Sequence, residues 1–148
     1  MKFILFFILT LVSFSEEVYR TKTGGGWFSI TKDSLLINAF DDPDIEGVTC
    51  YTTYYDRAWT LTDSHKASLA CRQTGPIVFK SKAALKNKPA VFSQSKSLFF
   101  KHTKVDRVFD KKRGVIIYLI HSTAADEDTA THSLSMVSTM GNYKVLGK

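Results

Sequence analysis

From Val48 to Tyr55 the chain reads Val-Thr-Cys-Tyr-Thr-Thr-Tyr-Tyr, an unbroken run of β-branched, aromatic and small residues without helical spacing. Successive side chains on a strand point to opposite faces, so Val48, Cys50, Thr52 and Tyr54 share one face and Thr49, Tyr51, Thr53 and Tyr55 the other. Short groups of the same kind recur along the chain, bounded by glycine, proline, asparagine and aspartate, which is the punctuation of antiparallel strands. Ser34 to Phe40 is one such group, with Leu36 and Phe40 on one face and Leu35 and Ile37 opposed. Asp41-Asp42-Pro43-Asp44 ends it, because proline lacks a donor and aspartate side chains capture nearby backbone N–H groups.

Further strands are expected from Ala67 to Gln73, broken by Gly75-Pro76 and resumed from Ile77 to Phe79, and at Ala90–Phe92, Leu98–Phe100, Val105–Asp110 and Val115–His121. Leu134 to Met140 is expected to be the last strand, Ala83 to Lys88 a single helical turn, and Asp126 to Thr131 a polar loop. Lys111-Lys112-Arg113-Gly114 joins two of the strands as a tight hairpin, since glycine supplies a positive φ there. Gly24-Gly25-Gly26 lacks the strand-to-helix setting of a phosphate cradle and reads as an entry to the first strand. About eight short strands must each bury one face against a second layer. The fold class is therefore mainly β: a single-domain antiparallel sandwich or partly open barrel.

Phe3 to Phe14 is an apolar and small-residue run, preceded by Lys2 and closed by Ser13-Phe14-Ser15. Those are the marks of a cleavable secretory signal over residues 1–15, leaving residues 16–148 as one domain. The run is shorter than the roughly 20 apolar residues a spanning helix needs, so no stable membrane anchor is expected after cleavage. Export places the protein in a bacterial envelope compartment, the periplasm. Losing Lys2 lowers the formal charge of +6 by one, and the remaining cations are scattered among serines and apolar residues. That distribution gives a solvated basic surface, and export argues against a nucleic-acid partner.

An exported chain leaves the reducing buffer behind, so Cys50 and Cys71 are read as one intradomain disulfide. Closing a loop of about 22 residues contributes roughly 3 kcal/mol in the chain-entropy model. A redox centre would call for a partner two residues away or a depressed thiol pKa, and no Cys-x-x-Cys occurs.

Around these cysteines the chain carries Ala39-Phe40-Asp41-Asp42-Pro43, Gly47-Val48-Thr49-Cys50-Tyr51 and Ala70-Cys71-Arg72-Gln73-Thr74-Gly75-Pro76-Ile77. As a set these blocks resemble the CreA family. Weaker similarity continues through Phe99-Phe100-Lys101, Val105, Arg107-Val108-Phe109-Asp110 and Tyr118-Leu119. The resemblance implies a small exported protein of the bacterial envelope without an established biochemical activity. Where relatives place a glycine-rich segment between the cysteines, this chain has Tyr54-Tyr55-Asp56-Arg57-Ala58-Trp59-Thr60-Leu61. Near residue 129, Thr129-Ala130-Thr131 replaces a Gly-Ser-Pro-like turn.

Catalytic and metal signatures do not emerge. Asp41, Asp42, Asp44 and Glu46 form the densest acidic group, but a proline sits within it and the alternating ligands of a calcium loop are missing. His65, His102, His121 and His132 lack the paired spacing of zinc ligands, and no Gly-x-Ser-x-Gly elbow occurs. No metal or cofactor is expected. Tyr51, Tyr55 and Trp59, with Arg57 and Arg72, make the most plausible recognition surface, since such rings give large contact area and arginine adds planar hydrogen bonding. The favoured reading is a non-enzymatic envelope protein that binds another protein or a small ligand. The alternative is a small periplasmic hydrolase whose site, for instance Asp63, Ser64 and His65, assembles only in the fold. Intact mass measurement of the chain accumulated by cells should show a species beginning at Glu16 with both cysteines oxidised; an intact leader and two free thiols would contradict the reading.

Overall fold

The computed structural model describes residues 15–23, 34–56, 68–95, 102–123 and 132–147. The leader, Leu98–Phe100, Asp126–Thr131 and Gly24–Gly26 lie outside the described residues. Among the described residues nine strands run in chain order: β1 (Glu16–Lys22), β2 (Ser34–Asp41), β3 (Ile45–Asp56), β4 (Ser68–Phe79), β5 (Lys88–Ser95), β6 (His102–Asp110), β7 (Val115–Thr123), β8 (His132–Ser138) and β9 (Tyr143–Val145). They form two sheets, one in the order β1-β2-β3-β4-β9 and one in the order β5-β6-β7-β8. All pairings are antiparallel except β4 with β9. The architecture is an open two-layer sandwich, which decides between the sandwich and the barrel.

The alternation read from the sequence sets the layers. On β2, Ser34, Leu36, Asn38 and Phe40 are buried and the residues between them are half-buried, as expected when one face meets a second layer. Phe40, Ile45, Val48, Cys50, Leu69, Ile77 and Phe79 face Phe92, Val105, Phe109, Ile116, Tyr118, Ile120 and Val137 of the other sheet to form the core. Phe40 stacks on Phe92 with ring centroids 4.4 Å apart. Phe79, Phe109 and Tyr143 form an edge-and-tilt trio with centroids 5.0–5.6 Å apart, geometries that suit the ring quadrupole.

Several elements differ from expectation. Strand β4 continues through Gly75-Pro76 instead of breaking, because its ladder with β3 is interrupted there: the register steps from Glu46 to Val48 on β3 and from Val78 to Gln73 on β4, which carries the extra residues opposite Gly47. The interrupted ladder leaves no backbone acceptor waiting for the N–H that Pro76 lacks. The helical turn is a 3₁₀ turn, Lys82–Leu85, capped by the Ser81 side chain, and β5 already begins at Lys88. Leu134–Met140 is not the last strand: β8 ends at Ser138, Met140 sits in a turn, and the three-residue β9 pairs in parallel with Ile77–Phe79. A strand also precedes the glycine triplet, the largely exposed and charged β1.

Four connections, 42–44, 80–87, 111–114 and 139–142, gather at one end of the sandwich. In the hairpin between β6 and β7, Arg113 N–H donates to Asp110 O at 3.2 Å and Gly114 has φ +64°, as its sequence requires. Gly47 has φ +79°, and a Cβ there would lie 2.3 Å from the Pro76 carbonyl oxygen and 2.7 Å from that of Gly75. Both backbones would have to move. Gly47→Ala should therefore lose about 2–3 kcal/mol of folding stability, read by chemical denaturation, through combined φ strain and overlap; an unchanged midpoint would contradict the bulge geometry.

Candidate functional site

Arg107 lies between Val105 and Phe109 on the inward face of β6, a position where the period-two pattern places an apolar side chain. It is 1% exposed, so its charge must be answered inside the protein. Its Nη1 donates to Asp42 Oδ1 at 2.6 Å, and its Nη2 donates to Asp44 Oδ2 and to the Ala84 carbonyl, each at 3.2 Å. Tyr118, inward-facing on the neighbouring β7, donates its hydroxyl to Asp42 Oδ2 at 2.7 Å. The Asp44 backbone N–H donates to Asp42 Oδ1 at 2.9 Å, and Lys88 Nζ donates to Asp44 Oδ2 at 2.6 Å.

The acidic group of the sequence is thus divided. Asp42 and Asp44 are drawn inward by the turn and bind across the layers to the second sheet, while Asp41 and Glu46 remain exposed. Burial, and after it the Asp42 carboxylate, push the Tyr118 phenol far above its usual value, so it remains a donor. Partial burial acts to raise the Asp44 pKa, but Lys88 and Arg107 outweigh it and hold the carboxyl below its ordinary value of 3.8. With both Asp42 oxygens engaged, the cluster is a clasp between layers. Sequence reasoning assigned Asp42 and Asp44 to the turn and missed Arg107 and Tyr118 as their partners; the available signal was a lone cation within an apolar strand face.

Beside the turn, Asp41, Glu46, Gly47, Thr49, Thr74 and Lys80 line an open, polar concavity of about 280 Å³. The Thr49 hydroxyl donates to Asp41 Oδ1 at 2.6 Å and lies 3.1 Å from that of Thr74. Among the described residues no group of three or more His, Cys, Asp or Glu is placed to hold a metal ion. His121 Nε2 lies 3.1 Å from Asp106 Oδ2 on the outward face of the second sheet, and His132 is its register partner on β8.

Cys50 and Cys71 stand directly opposite each other on β3 and β4, with Cα atoms 4.0 Å apart and sulfurs bonded at 2.08 Å. The Cys71 N–H points away from β3 and donates to Ser135 Oγ of β8 at 2.7 Å, so the pair occupies a non-hydrogen-bonded position of the ladder. Inward, Cys50 is fully buried. Tyr51 and Arg72 lie on the opposite, outward face: Tyr51 opposes Ala39 and Ala70 and is half-buried, and Arg72 opposes Thr49 and is exposed. Tyr55 pairs with Leu35 in the register of β2 and β3. Arg57, Trp59, Asp63, Ser64 and His65 lie outside the described residues. Of the five recognition residues, the structure thus brings Tyr51 and Arg72 to one sheet face.

A two-sheet β domain clasped by a cross-strand disulfide and an interlayer ion pair defines the class. The family model described as CreA protein matches residues 21–142. The chain is 34% identical over 119 residues to Protein CreA of Escherichia coli strain K12, covering 72% of this chain and 73% of that protein, with the same figures for the proteins of strains O6:H1 and O157:H7. The chain belongs to the CreA family. No solved structure matches it.

Because the Asp44 pKa is lowered on folding, its contribution to stability is present above the ordinary carboxylate value and is lost as pH falls through the folded value. Melting temperature should fall on acidification from about pH 5 to pH 3, and Asp44→Asn should flatten that limb. Parallel acid limbs in the two proteins would contradict the assignment.

Proposed function

We propose that this CreA family member is an exported, periplasmic binding or accessory protein that works without catalysing a reaction. The observation that carries the reading is the outward face of the first sheet, where Tyr51 and Arg72 occupy adjacent strands on the side away from the core. A tyrosine ring offers contact area at small entropic cost, and a guanidinium beside it supplies planar hydrogen bonds, a pairing suited to a peptide segment or a small polar ligand. The disulfide behind this face fixes the separation of β3 and β4 and with it the spacing of the two side chains. It also supports export, since such bonds persist in oxidising compartments. Asp42, Arg107 and Tyr118, which have the chemistry of a catalytic cluster, are instead buried and bonded to one another, with both Asp42 oxygens occupied.

The partner is an envelope protein or small ligand that meets the tyrosine face. Immobilised protein should retain one or more envelope components from its own cell extract, and Tyr51→Ala combined with Arg72→Ala should abolish that capture. Both positions lie outside the core, so the melting temperature should change little. Undiminished capture by the double variant would reject the assignment of this face.

A further inference from the structure

We propose that the outward face of the second sheet, with the neighbouring β6–β7 hairpin, docks reversibly on an anionic lipid bilayer. From Leu134 onward, alternate residues of β8 and its turn point to solvent: Leu134 is 55% exposed, Met136 60% and Met140 85%. In the cross-strand register Leu134 opposes Leu119, Met136 opposes Ile117, and Ile117 opposes Val108, itself 36% exposed. These residues form a contiguous apolar surface instead of isolated exposed side chains.

The turn after β8 fixes how that surface meets its basic neighbour. Met140 has φ +48° and Gly141 φ +73°, and the Asn142 N–H donates back to Thr139 O at 2.8 Å. Thr139 is buried and donates both its backbone N–H and its hydroxyl to the Gly114 carbonyl, each at 2.8 Å. Met140 is thereby held beside the hairpin tip Lys111-Lys112-Arg113, all three residues exposed.

Charge selects the occupant. The two acids on the outward face of β6 are engaged, Asp106 by His121 and the Ala90 N–H, and Asp110 by Arg113. Lys104, on that face, and Lys111 and Lys112 at the tip give the surface a positive excess. A second copy would set these cations against themselves. Projecting, flexible methionine and leucine side chains flanked by lysines suit a bilayer, in which thioether and alkyl groups enter the acyl boundary while ammonium groups stay at the phosphates. The proposal is independent of the tyrosine face, which lies on the other sheet.

Flotation with vesicles tests it, using the protein in the form that cells accumulate. Vesicles of three parts phosphatidylcholine to one part phosphatidylglycerol should carry the protein in about 0.05 M salt and release it in about 0.5 M, and pure phosphatidylcholine should not carry it. Lys111→Ala with Lys112→Ala should weaken partitioning about 20-fold, and Met136→Ser with Met140→Ser about tenfold or more, with melting temperatures near that of the unaltered chain. Tyr51→Ala with Arg72→Ala should float like the unaltered chain. Failure to float, equal flotation on neutral lipid, or flotation unchanged in the folded lysine and methionine variants overturns the proposal. So does finding that the face takes up an acidic protein or a second copy while ignoring vesicles. Should a variant fail to fold, the salt and lipid dependence of the unaltered chain decides the matter.

Discussion

A guanidinium with almost no exposed surface must be neutralised where it stands, and the sandwich is arranged around that demand. Arg107 reaches from the second sheet to the turn after β2, and Tyr118 converges on the same carboxylate from the adjacent strand. Removing one partner of such a buried pair costs about 3–5 kcal/mol, whereas exchanging the whole group for apolar residues can be neutral. The clasp is therefore weak evidence of extra stability and better evidence of a fixed alignment. It admits one placement of the 42–44 turn over β6 and β7. That placement in turn sets the start of β3 and the position of the disulfide along it.

The two layers divide their labour around this alignment. The first sheet carries the sulfur bridge on its inward face and presents Tyr51 and Arg72 outward on the same pair of strands. Across the core, the second sheet sends Arg107 and Tyr118 inward and leaves leucines and methionines outward. Two chemically unlike surfaces thus face away from each other. A partner on one need not displace an occupant of the other.

Legibility in the sequence followed the range of the forces involved. Leu36 and Phe40 announced the inward face of β2, and the alternation about Cys50 separated Tyr51 from the core side, because period two is a local property. The 111–114 hairpin was legible from its glycine. In contrast, β9 is three residues long and exists through parallel pairing with β4, a contact across about half of the domain. Strand β1 carries no apolar alternation because little of it is buried. The partnership of Arg107 with Asp42 joins positions 65 residues apart, and only the inward parity of Arg107 hinted at it.

Ile45 and Val48 are both buried although they stand three apart, an odd step that would put them on opposite sides of a regular strand. Val91 and Phe92 are buried as immediate neighbours, just after the irregularity at Ala90. Each irregularity acts as a phase shifter, absorbing the odd step so that the alternation resumes with its sign restored. Were β3 to run regularly through Gly47, its parity would invert from that point onward, turning Thr49, Tyr51 and Thr53 toward the interior and the disulfide toward water. In this family member, which side of the first sheet greets the outside is a matter of counting, and one glycine keeps the count.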